Sequence, residues 1–180
     1  MFFSFLLVFI FGFCFGARAS ATTYYVSQSA TNGYNIGVDT NSGQTKELPF
    51  LTVGKAVSTY SAGDTIVLND GTYLTTAGGS GAAYLTLTKA VTINAETTLG
   101  ATITSTSASY TIYINPSATG TYTFGSLILN SNNVSYTSLT LANSAYNPTL
   151  VLNGTRILNP TLRGIIVTEG NPALIDVNDA

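Results

Sequence analysis

Histidine and tryptophan are absent from the sequence, and cysteine and methionine occur once each. Without imidazole there is no His-based triad, no His-ligated metal and no imidazole acid–base step. Charge is scarce as well. Charged residues make up 8% of the chain, with six Lys and Arg against eight Asp and Glu for a formal net charge of −2. An average chain carries about a quarter, and a nucleic-acid binder needs a concentrated basic footprint, so nucleic acid is excluded as a partner. What is plentiful is Val, Ile, Leu, Thr and Tyr, in 180 residues that suit one domain. That composition argues against disorder and against a solvated helical bundle.

Residues 2–15 are almost wholly apolar and hold seven of the nine Phe residues; Ala17, Arg18, Ala19, Ser20 and Ala21 follow. An apolar run closed by small residues at alternate positions reads as a secretory signal peptide over residues 1–21, cut after Ala19 or Ala21. The alternative is a retained membrane anchor, but the run is shorter than the roughly 20 apolar residues that span a bilayer. Cys14 leaves with the leader, so the expected product is a secreted or cell-surface domain with no thiol and no membrane attachment. It keeps five basic and eight acidic side chains, a net of −3, and must hold together without disulfides.

Residues 22–63 read as an N-terminal unit. Thr22 to Ser27 is a short β-rich run, a polar Gly- and Asn-rich excursion follows from Ser29 to Glu47, and Pro49 opens an amphipathic helix. Val53, Ala56, Val57 and Tyr60 share one face of a 3.6-residue period, with Gly63 as a stop. From Asp64 onward, short β-type runs alternate with Gly, Asn and Asp turns. Leu127-Ile128-Leu129-Asn130 recurs 23 positions on at Leu150-Val151-Leu152-Asn153, and again near Leu174. A second set, Ile112-Tyr113-Ile114, Leu139-Thr140-Leu141 and Ile165-Ile166-Val167, steps by 27 and 26. Two strand families sharing a period in the twenties predict a parallel β-solenoid of about four coils over residues 64–180. Asn130 and Asn153 are expected to stack one coil apart, and the helix is expected to cover the open end of the strands. A β-sandwich with strands at chance spacing is the alternative.

The stretch from Tyr24 to Tyr73 carries a resemblance. Tyr24-Tyr25-Val26-Ser27, Pro49-Phe50-Leu51-Thr52-Val53-Gly54 and Ala62-Gly63-Asp64-Thr65-Ile66, ending Gly71-Thr72-Tyr73, look like the opening of pectate-lyase-like right-handed parallel β-helix proteins. The resemblance covers about fifty residues, and the later coils agree only in period. It implies an all-β, right-handed solenoid with an N-terminal capping helix. Its members include secreted polysaccharide lyases and glycoside hydrolases, and also tailspikes, adhesins and noncatalytic surface proteins. Fold therefore follows more firmly than function.

No catalytic motif of that superfamily is visible, and the catalytic residues stay unassigned. The one local concentration of charge is Arg156, Arg163, Glu169, Asp176 and Asp179. The arginines are candidates for meeting sugar carboxylates, and the three acids are candidate Ca²⁺ ligands; solvated surface is the plainer alternative. Tyr113 and Tyr136, 23 positions apart, are candidates for stacking on sugar rings, the alternative being rings that merely shield a β-face. Asn133-Val134-Ser135 and Asn153-Gly154-Thr155 fit the glycosylation sequon. The sequence stops three residues after a strand-like Leu174-Ile175-Asp176-Val177. That predicts either a truncated chain or strand-edge self-association. The function expected is a polysaccharide-associated module, catalytically incomplete as it stands. A structural or adhesive cell-surface solenoid is the rival.

Overall fold

The computed structural model describes residues 20–75, 84–105, 109–132, 137–142, 145–160 and 163–167, together with the backbone of 174–178. The expected leader therefore lies outside the described residues. The chain is an all-β parallel solenoid of about three turns. Its elements are β1 (Thr23–Val26), α1 (Val53–Thr59), β2 (Thr65–Leu68), β3 (Gly71–Leu74), β4 (Leu85–Leu87), β5 (Val91–Ala95), β6 (Ala101–Thr104) and β7 (Tyr110–Ile114). There follow β8 (Thr121–Gly125), β9 (Ile128–Asn130), β10 (Thr137–Leu141), β11 (Thr149–Asn153), β12 (Arg156–Leu158), β13 (Arg163–Val167) and β14 (Leu174–Asn178). Every third strand stacks on its predecessor, giving ladders β1-β2-β5-β8-β11-β14, β3-β6-β9-β12 and β4-β7-β10-β13.

Strand alternation sends one side chain in two toward the axis, and register lines these up in columns. Ile66, Ile93, Phe124 and Leu152 form one column, Tyr73, Ile103 and Leu129 a second, and Leu85, Ile112 and Leu139 a third. All of these are buried. No single coil encloses a core; the columns do so jointly. At the β9–β10 corner the interior turns polar, with the Ser131 and Ser138 hydroxyls 2.6 Å apart and Thr111 beside them.

The second strand family stacks as its spacing predicts, with Leu139 across from both Ile112 and Ile165. The first does not. Leu129 pairs with Ile157, 28 residues on, while Leu150 pairs with Tyr122 and Ile175. The matching Leu-x-Leu-Asn strings belong to different ladders, because a buried strand ending at a corner demands the same residues on either wall. Asn130 and Asn153 are therefore not stacked. Asn130 instead accepts from the Asn159 amide at 3.2 Å, one coil on.

The helix begins later than Pro49 suggests. Phe50 forms a parallel bridge with Val26, and the Thr52 hydroxyl caps α1 by accepting from the Lys55 N–H at 3.2 Å. Asp39 holds that cap, accepting from the backbone N–H groups of Leu51 and Thr52 and from the Thr52 hydroxyl. Val53, Ala56 and Tyr60 are buried, and α1 lies against β1 and β4.

Two buried hydroxyls among the described residues find no partner, those of Tyr122 and Thr140. Tyr122 sits in the interior between Val91 and Leu150, where desolvation pushes its phenol up to about 12. An unpaired buried hydroxyl costs about 1–3 kcal/mol. Tyr122→Phe is thus expected to stabilise the fold by about 1 kcal/mol, read as a higher urea midpoint at unchanged slope.

Candidate functional site: a tyrosine cluster on the β4–β7 wall

Ile112 and Ile114 of β7 point inward, so Tyr113 between them lies on the outer face. Tyr110 shares that strand, and Tyr84 immediately precedes β4 in the coil before. The Tyr110 and Tyr113 rings stack, with centroids 5.0 Å apart and planes at 20°. Tyr84 meets both edge-on, at 5.3 Å from Tyr110 and 6.1 Å from Tyr113. All three rings are half-buried, and among the described residues no protein group bonds their hydroxyls. Edge and face contacts of this kind hold the rings in fixed orientation. The result is a rigid apolar surface fringed by free phenols.

Register places the other candidates. Tyr113 lies across from Thr140, and Tyr110 across from Thr137, which is in turn across from the exposed Arg163. Two strand spacings put Arg163 about 10 Å from the Tyr110 column. Arg156 is also exposed, but it stands on a different wall, across from Ile128. The interval of 23 between Tyr113 and Tyr136 is not a ladder step, since β7 and β10 pair at 27. Tyr136 itself lies outside the described residues. So do Glu169 and Asp179, while Asp176 is described only as backbone, across from Val151. Among the described residues no three of His, Cys, Asp and Glu converge as a metal site.

Most described charges are bound into the scaffold. Asp64 accepts from the Thr22 and Ser61 N–H groups at 2.8 and 2.6 Å, and Asp70 from the Thr97 hydroxyl at 2.6 Å. Lys89 donates to the Tyr60 carbonyl at 3.1 Å. Glu96 pairs with Lys46 and accepts from the Tyr34 hydroxyl at 2.8 Å. The bonded Lys46 ammonium holds the Glu96 carboxyl below its ordinary range, while burial and the neighbouring carboxylate push the Tyr34 phenol up. This network ties the 28–49 excursion to the end of β5. It resembles a fastening more than an acid–base pair, because both oxygens of Glu96 are already engaged.

Tyr84 and Tyr110 are the residues that sequence reasoning missed. Aligning Leu85 with Ile112 would have brought Tyr84 beside β7, and Tyr110 stands three residues from Tyr113 on one strand. No family model, curated protein or solved structure matches the chain.

Proposed function

We propose that this chain is a secreted polysaccharide-binding module, built as a right-handed, pectate-lyase-like β-helix whose cleaved leader spans residues 1–21. It is catalytically incomplete as it stands. The observation that carries the reading is the Tyr84–Tyr110–Tyr113 cluster: flat rings suit the apolar face of a sugar, and free phenols suit its hydroxyls. Arg163, two strands further along the same wall, supplies a cation for a sugar carboxylate. Right-handed winding is the norm for parallel crossovers. The buried face of α1 against β1 and β4 suits a cap on the first strands. A Ca²⁺ site at Glu169, Asp176 and Asp179 remains part of the proposal, and no binding step above depends on it.

The test is affinity electrophoresis and calorimetry of the purified chain with pectin, alginate and neutral polymers, with and without Ca²⁺. The double variant Tyr110→Ala/Tyr113→Ala is expected to weaken binding at least about tenfold, or 1.4 kcal/mol, while keeping its β-rich circular dichroism. Arg163→Gln should weaken binding to uronate polymers and leave neutral ones unaffected. Absorbance from new unsaturated uronates would refute catalytic incompleteness.

A second reading has its own observation. Ile36, Val38, Leu48 and Leu51 stand exposed on and just after the excursion, which suits an adhesive surface solenoid. Absence of affinity for every glycan tested would favour it.

A further inference from the structure

A different wall carries an array that the glycan reading does not use. Register on the long ladder puts Thr23 of β1 across from Thr65 of β2, Thr65 across from Thr92 of β5, and Thr92 across from Thr123 of β8. Four threonines thus form one column at the strand spacing of about 4.8 Å, on the face opposite the buried Ile66, Ile93 and Phe124. In the next column Thr121 lies across from Thr149.

Three further observations single these residues out. Each is at least partly exposed. Among the described residues none of the six hydroxyls is bonded to protein, whereas those of Thr52, Thr59, Thr97 and Thr155 are. The flanking positions carry no charge: Gly63, Ala90 and Thr121 precede the last three column members by two, and Val67, Asn94 and Gly125 follow them by two. Most of those flanks are small, so the threonines stand clear of their surroundings.

We propose that this wall binds ordered water, and specifically the surface of ice. Threonine is stiff about χ1 on a strand, so its methyl and hydroxyl recur in one orientation at every rung. The rung spacing is close to the repeat between oxygens in the ice lattice. Hydroxyls at that interval anchor lattice waters, and the methyls between them order the waters they touch. The β-ladder fixes the spacing in advance, so no side-chain entropy is lost on contact. A charged neighbour would impose its own hydration shell and break the lattice match, and the described flanks hold none.

The test is ice-recrystallisation inhibition and ice-crystal shaping by the folded chain, with circular dichroism in the cold as the check on folding. The wild type is expected to inhibit recrystallisation, and Thr92→Lys in mid-column is expected to abolish that inhibition. Thr102→Lys, on the β3-β6-β9-β12 wall, is expected to retain it. If Thr92→Lys fails to fold, Thr65→Lys serves in its place. A folded wild type that leaves ice growth unaltered would overturn the proposal. So would equal activity in the mid-column lysine variant, equal loss in Thr102→Lys, or binding to crystalline cellulose without any effect on ice. Tyr110→Ala/Tyr113→Ala should leave the ice assay untouched, so this proposal and the glycan reading fail independently.

Discussion

Phe124→Ala is expected to lower the unfolding free energy by about 3–5 kcal/mol. The ring is fully buried and lies in register between Ile93 below and Leu152 above. Removing it opens a cavity that neither neighbour can fill, because both are held at their height by parallel backbone hydrogen bonds. The loss also severs coupling between successive coils, and in a stacked array that interface is where most stability resides. Urea unfolding followed by circular dichroism should show the midpoint fall. A broadened or biphasic transition would mark the two sides of the cavity melting separately. A change under about 1 kcal/mol would mean that the columns do not carry the fold.

Gly37→Ala is expected to be nearly as damaging, by a different route. A Cβ at that position would lie 2.1 Å from the Phe50 carbonyl oxygen and 2.6 Å from that of Ser27. Both are backbone atoms already in use. Ser27 O accepts from the Gly37 N–H at 2.9 Å, and Phe50 O accepts from the Ser27 N–H at 2.9 Å. Nothing flexible is available to yield, so the cost should reach about 3 kcal/mol, the upper end for overpacking. The predicted damage is local. The excursion should lose its seat against β1 and gain hydrogen exchange and protease sensitivity across residues 28–48, while amides of β5 through β11 stay protected. Global loss of protection would show instead that the excursion nucleates the solenoid.

The solenoid was legible because one wall keeps time. From Thr86 to Tyr113, Thr140 and Ile166 the steps are 27, 27 and 26 residues. On the long ladder the corresponding steps from Thr65 through Thr92, Thr123, Val151 and Asp176 are 27, 31, 28 and 25. Turns on that side absorb the variation and leave no fixed period to read, so the eye settled on a false match between Leu127 and Leu150. The fastening of the excursion was invisible for another reason. It rests on single polar groups far apart in sequence, such as the fully buried Asn69 amide, which reaches Ser27, Ser29 and Thr31. Such bonds have no periodicity and no local motif. Of the candidate site, Tyr113 was found from its place between two isoleucines. Its partners Tyr84 and Tyr110 became visible only when register set the coils side by side.

The parallel register also has a kinetic meaning. Each rung finds its complement about 27 residues back along the chain, and never further ahead. A nascent polypeptide can therefore add rungs in the order in which they leave the ribosome, each new strand templated by the finished face of the last. Growth of this kind is accretion on a seed. It spares the chain the entropy of closing distant loops, and it makes the first docked pair, β1 on β2, the step on which the speed of assembly depends.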